Sequence, residues 1–181
     1  MKALENKIIN EGAVLPGHIL KVGSFLNQRI DVTFMMQMAR EVADLFAGEK
    51  ITKVLTIESS GIAFAFAIAA QLGVSMTFAK KHASANIGND TYKTVVHSYT
   101  HNKDYTIVIS KEYLSSDDRI LIADDFLACG NALNGLIAMS KEAGAEVVGC
   151  AIAIEKGFQG GGDVDGVVGA ALHVDAEVCE E

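Results

Sequence analysis

The sequence predicts an α/β domain with a mainly parallel sheet flanked by helices, and three observations predict it. Short apolar runs at Lys53–Ile57, Ser75–Ala79 and Ile120–Ala123 are each followed by a helical or loop stretch, the alternation of a parallel sheet covered on both faces. The helical stretches carry apolar residues at a spacing of three and four. Half of the 181 residues are hydrophobic by type, enough to fill one core in a chain of single-domain length.

Taken in order, the segment through Asn27 mixes apolar residues with Gly12, Pro16 and Gly17 and reads as a short helix followed by irregular structure. From Asp31 to Phe46, residues Met35, Met36, Met38, Ala39, Val42, Leu45 and Phe46 recur at helical spacing, and Gly48 is expected to end that helix. Its methionines read as core, because an unbranched thioether adapts to packing gaps. Ile62 to Leu72 is a buried helix, too short to cross a bilayer. A polar stretch runs from His82 to Asp104, an extended pair lies around Tyr105 to Ser110, and a turn falls at Ser115 to Asp118. A helix from Asn131 to Ala143 is stopped by Gly144, and Val147 to Ile154 forms another buried strand.

Composition narrows the function classes. A formal charge of −8 argues against nucleic acid as a partner, because affinity for a polyanion rests on clustered Lys and Arg. No run of eighteen apolar residues occurs, and the start, with Lys2, Glu5 and Lys7, lacks a signal-peptide pattern. No membrane partner and a cytoplasmic location are therefore expected. Cys129, Cys150 and Cys179 are odd in number and lack metal-ligand spacing, so neither a disulfide framework nor a zinc site is indicated. The five histidines are scattered and read mostly as surface residues.

The chemistry concentrates in R-I-L-I-A-D-D-F-L-A-C-G-N-A-L, from Arg119 to Leu133. Asp124 and Asp125 come directly at the carboxyl end of a buried strand, where open α/β sheets bind ligands. A solvated strand end with a helix-capping acid would explain such a pair standing alone. Here it is followed by Ala128, Cys129 and Gly130, small residues leading into a helix N-terminus whose N–H groups make an anion site. Acids beside a phosphate cradle point to a sugar phosphate.

This pattern of apolar strand, two acids, two apolar residues and a small-residue loop resembles the type I phosphoribosyltransferase family, and most nearly its xanthine phosphoribosyltransferases. The resemblance rests also on K-V-G-S-F-L-N-Q-R-I-D (Lys21 to Asp31), T-I-E-S-S-G-I-A (Thr56 to Ala63), F-A-K-K-H (Phe78 to His82) and I-E-K-G-F-Q (Ile154 to Gln159). It implies the type I fold over a single domain, residues 1–181, with a small base-binding hood formed by about residues 1–35 and the C-terminal tail, and a flexible lid loop placed in His82 to Asp104. It implies that Ala128, Cys129, Gly130, Asn131 and Ala132 bind the 5-phosphate of phosphoribosyl pyrophosphate (PRPP) and that Asp124 and Asp125, the catalytic pair, hold the ribose hydroxyls. Ser59, Ser60 and Gly61 would bind the diphosphate, with Lys80 and Lys81 adding positive charge.

The base-binding role falls by the same resemblance on Leu20, Asn27, Lys156 and Phe158. Lys156 has only donors, so it suits a purine carbonyl oxygen and disfavours adenine. The implied reaction is purine salvage, in which xanthine and PRPP give xanthosine 5'-monophosphate and pyrophosphate, with Mg2+ on the diphosphate and a homodimer as the working form. A hypoxanthine-guanine enzyme and a non-catalytic PRPP-sensing regulator are the competing expectations. Two departures from the family stand out. Cys129 replaces an Asn, and the chain after Asp163 is shorter and more apolar than in relatives. Ala128 stands where hypoxanthine-guanine enzymes carry an acid, so no general base is nominated.

Overall fold

The computed structural model describes residues 2–16, 19–81, 90–98, 103–156 and 170–171. Helix α1 (Lys2–Glu11) buries Leu4 and Ile8, one turn apart, and leads into an antiparallel hairpin of β1 (Ala13–Leu15) and β2 (Ile19–Lys21). The irregular segment expected here is thus a hairpin, with Pro16 in its turn; three-residue strands are too short to show a period in sequence. A π-helical turn, Gly23–Asn27, follows and buries Phe25 and Leu26.

Helix α2 (Val32–Leu45) starts where the Asp31 carboxylate accepts from the Phe34 N–H at 3.1 Å, satisfying one of the first-turn donors. It closes at Phe46 (φ −104°), and Gly48 is not among the left-handed glycines, which in the described residues are Gly73, Gly130 and Gly144. The expected glycine stop is therefore corrected: the helix ends before Gly48 reaches it. Strand β3 (Lys53–Ile57), helix α3 (Gly61–Leu72) and strand β4 (Ser75–Ala79) follow, with Gly73 (φ 69°) ending α3 in a conformation open to glycine.

Two long strands, β5 (Thr91–Ser98) and β6 (Lys103–Ser110), pair antiparallel in register from Thr91↔Ser110 to Ser98↔Lys103. Much of the stretch expected to be a polar lid is therefore a packed hairpin; the rest of it, residues 82–89 and 99–102, lies outside the described residues. Tyr92 and Val96 are buried, and a Cβ on Gly135 would touch Val96 and Thr94, so the hairpin lies tightly on the following helix. Strand β7 (Arg119–Leu127), helix α4 (Asn131–Glu142), strand β8 (Glu146–Glu155) and the short β9 (Ala170–Ala171) complete the order.

The main sheet runs β4-β3-β7-β8-β9, all parallel. Alternate residues serve opposite faces, as the period of two requires. Val54, Leu121, Ala123 and Ala151 join α2 and α3 in one apolar cluster, whereas Leu55, Ile57, Ile120, Ile122 and Ile152 join α4 and the hairpin in the other. Burial on both faces explains why β3 and β8 read as apolar runs, whereas β4 lies at the edge of the sheet and is mostly half-buried.

β7 is longer than expected. It passes through Asp124 and Asp125 to Leu127, paired with β8 throughout, because backbone pairing continues after the side chains turn polar. At its other end the Lys53 ammonium bonds Asp118 at 2.7 Å and the Tyr113 carbonyl at 2.6 Å, while Arg119 pairs with Glu49 and Glu146. Among the described residues no helix is long and apolar enough to cross a membrane.

Candidate active site

The polar residues gather where β3 and β7 end. Asp125 is 3% exposed, and an ionised carboxylate this buried must have its oxygens hydrogen-bonded. Its Oδ1 accepts from Ser60 Oγ at 2.8 Å and its Oδ2 from Asn27 Nδ2 at 3.1 Å. Three segments far apart in sequence, the π-helical turn, the β3–α3 turn and β7, thus meet on one side chain. Ser60 stands at the N-cap position of α3 but makes no capping bond, so the ordinary strand-to-helix explanation of this serine does not hold.

Asp124 is held differently. Its Oδ1 accepts from the Asp125 N–H at 2.9 Å. Burial first, and then the charge and hydrogen bonding of Asp125, raise its carboxyl well above the ordinary carboxylate range, while the Asp125 N–H and the Lys81 ammonium pull the other way. A Cβ on Gly61 would stand 2.7 Å from Thr56 Oγ1 and nearer still to Asp124 Oδ1. Only a residue without a side chain lets the carboxylate occupy that place. Thr56 Oγ1 is itself buried, with no hydrogen-bond partner among the described residues.

Beyond the acids, Ala128 to Ala132 line a cavity of ≈ 140 Å³ together with Asp124, His97 and Tyr105. Gly130 (φ 76°) turns the chain into α4, and Asn131, its first residue, donates from Nδ2 to the His97 carbonyl at 3.2 Å. The cradle is small, backbone-lined and set at a helix N-terminus, which suits a phosphate. Cys129 is partly exposed and free, and Cys150 is free but buried, which pushes its thiol up to about 12.

The turn at Glu58–Gly61 is tied to the end of β4. Glu58 N–H donates to the Ala79 carbonyl at 3.0 Å, the Glu58 carboxylate accepts from the Lys81 N–H, and the Glu58–Ser59 peptide is cis. Lys81 places its ammonium 5.3 Å from the centre of the Tyr105 ring, on the side of Asp124. Lys80 diverges: it lines a second, more open hollow with Lys53, Phe78, Glu112 and Tyr113. Leu20 is a buried residue of β2. Lys156 donates its N–H to the Leu127 carbonyl at 2.9 Å, and its ammonium lies 5.6 Å from the centre of the Phe126 ring. Phe158 and His82 lie outside the described residues.

The structure also brings in residues that the sequence reading passed over. His97 and Tyr105 reach the cavity from the hairpin, and Thr56 is a polar side chain in an otherwise apolar strand, a signal that was legible. Among the described residues there is no group of three or more His, Cys, Asp or Glu side chains suited to a metal ion.

The phosphoribosyl transferase domain family matches residues 25–168. A xanthine phosphoribosyltransferase of Bifidobacterium adolescentis is 49% identical over 164 residues, covering 90% of this chain and 85% of that protein. One of Brevibacillus brevis is 48% identical over 161 residues, covering 89% and 82%. Among solved structures, the adenine phosphoribosyltransferase of Trypanosoma brucei, in complex with AMP, pyrophosphate and ribose-5-phosphate, matches with a TM-score of 0.79 at 18% identity, covering 98% of this chain and 81% of that one. At that identity the likeness is one of fold.

Proposed function

The chain belongs to the phosphoribosyltransferase family, and from that premise we propose that it transfers the 5-phosphoribosyl group of PRPP to xanthine. The observation that carries the reading is the pair of the half-buried Asp124 and the buried Asp125 beside the Ala128–Ala132 cradle, in a chain nearly half identical to xanthine phosphoribosyltransferases. The cradle takes the 5-phosphate on backbone N–H groups and the helix N-terminus. The acids take the ribose hydroxyls, and the turn Ser59–Gly61 with Lys81 takes the diphosphate.

In the reaction a purine nitrogen forms its bond to the anomeric carbon as the bond to the diphosphate oxygen breaks. Pyrophosphate leaves with the electron pair, and the proton of the attacking purine nitrogen passes to the departing pyrophosphate or to water. Positive charge develops on the ribose. In this reading Asp124 and Asp125 lie beside that charge, and carboxylates placed there stabilise it more in the transition state than in the resting site. Lys156, with donors only, faces a purine carbonyl oxygen in this reading, which selects oxo-purines over adenine.

A magnesium ion fits the donor set without a protein cage. Asp124 and Asp125 are the carboxylates that would hold the ion alongside the diphosphate oxygens. When bound it stabilises the negative charge of the departing diphosphate. The reading extends to a cytoplasmic homodimer, an expectation carried by the family alone. The test is pyrophosphate release with xanthine, guanine, hypoxanthine and adenine. Preference for xanthine is the expected result, and adenine used as well as xanthine would refute the assignment.

A further inference from the structure

Asn27 is the one proposed base reader that is wired to the catalytic acids. Its Nδ2 donates to Asp125 Oδ2 at 3.1 Å, and its carboxamide oxygen accepts no hydrogen bond among the described residues. The other Asp125 oxygen is occupied by Ser60 Oγ at 2.8 Å. A carboxamide has almost the same shape with its oxygen and nitrogen exchanged, so what it offers a ligand depends on what holds it. Both Asp125 oxygens are already acceptors, Oδ1 from Ser60 Oγ and Oδ2 from Asn27 Nδ2. Turning Asn27 over would set oxygen against oxygen, at a buried acid that cannot rotate away without breaking its bond to Ser60.

We infer that Asp125 is a specificity-positioning residue: by anchoring Asn27 Nδ2 it fixes one orientation of the carboxamide that reads the 2-position of the purine, and Ser60 keeps that anchor in place. The inference rests on the proposed base-binding role of Asn27. Xanthine carries an oxo group at the 2-position and guanine an amino group, so their hydrogen-bonding demands are opposite. A freely turning amide would satisfy either. A locked one offers a single pattern of donor and acceptor and so separates the two bases.

The experiment measures kcat/KM with xanthine and with guanine for the wild type, Asn27→Ala, Asp125→Asn and the double variant. In Asp125→Asn the xanthine-to-guanine ratio should fall about tenfold, the scale of one well-made hydrogen bond, because the new amide both donates and accepts. In the Asn27→Ala background the same change should move the ratio by less than about twofold, since no amide remains to orient. Rate losses common to both bases, from the ribose contact or from impaired folding, cancel in the ratio. Ser60→Ala, made with and without Asn27→Ala, runs the same cycle with both acids intact and should show the same pattern at smaller size. An unchanged ratio in Asp125→Asn and Ser60→Ala, or effects that multiply independently of Asn27, would overturn the inference alone. A wild type that turns over neither base would overturn the proposed function and this inference with it.

Discussion

Replacing Gly61 with alanine isolates the closest packing in the site. The added Cβ would stand 2.7 Å from Thr56 Oγ1, whereas ordinary contact begins near 3.4 Å, so that hydroxyl must retreat by about 0.7 Å and Asp124 Oδ1 by more. Neither retreat is easy. Thr56 is a fully buried residue near the end of a strand buried on both faces, and Asp124 is held by the Asp125 N–H. Overpacking of this kind costs about 1–3 kcal/mol, and the alanine returns about 0.4–1 kcal/mol by restricting the unfolded chain, leaving a folded protein. Activity should suffer more, because a misplacement near 1 Å at a reacting centre costs about 10²-fold. The assay is kcat/KM for pyrophosphate release with xanthine, alongside a urea unfolding curve. A loss of about 10² in kcat/KM with a destabilisation of about 1–2 kcal/mol is expected. Adding Thr56→Ala should not restore activity, since Asp124 remains displaced. If Gly61→Ala retains kcat/KM within about twofold, the claim that this glycine positions the acid is refuted.

Lys156→Ala should reduce kcat/KM with xanthine by about 10²-fold or more while leaving PRPP affinity nearly unchanged, because a site built on a specific hydrogen bond loses most when the partner is removed; equal losses in kcat/KM and PRPP binding, read by kinetics and calorimetry, would contradict it. Asp124 is an acid with a raised folded pKa, so it favours the folded state when protonated, and that contribution is lost as pH rises from its unfolded value of 3.8 through the folded one. Asp124→Asn should therefore be inactive yet flatten the fall in stability across that window, as urea unfolding at a series of pH values would reveal; a steeper fall would reverse the sign argued here. At the other end of β7, burial pushes the Asp118 carboxyl up, but hydrogen bonds from Lys53 and the Ser115 N–H outweigh it and leave the group below its usual value. That stabilisation is present above the unfolded pKa and lost as pH falls through the folded one, so Asp118→Asn should cost about 1.5–3 kcal/mol at neutral pH and leave kcat unaltered; a drop in kcat would mean this end of the sheet reaches the site.

Local chemistry was legible where one segment carries it whole. The β3 and β8 runs are apolar because both their faces are covered, and the acid pair with its small-residue loop lies in fifteen consecutive residues, Arg119 to Leu133. The second strand of the hairpin was expected around Tyr105 to Ser110, but the first escaped because Tyr92, Thr94 and Val96 alternate with Lys93 and His97, so a half-buried strand resembles a polar loop. Gly61 was legible only as a member of the expected diphosphate turn, and that the Asp124 carboxylate packs against it was not, since no spacing in the sequence announces a contact between residues this far apart. The same holds for Ser60 and Asn27, whose partner is Asp125 rather than a helix end or a neighbour in the chain.

The Asn27–Asp125 bond joins residues 98 positions apart, and β3 must wait for β7 to cover its second edge. During synthesis at about 5–20 residues per second, Asn27 has left the catalytic centre of the ribosome roughly 5–20 s before Asp125 follows it. For that interval the hood segment has no acid to fasten to, and β3 has only β4 beside it. The proposed site is therefore among the later features a growing chain can complete, and a nascent chain stopped short of β7 would carry Asn27 without Asp124 or Asp125.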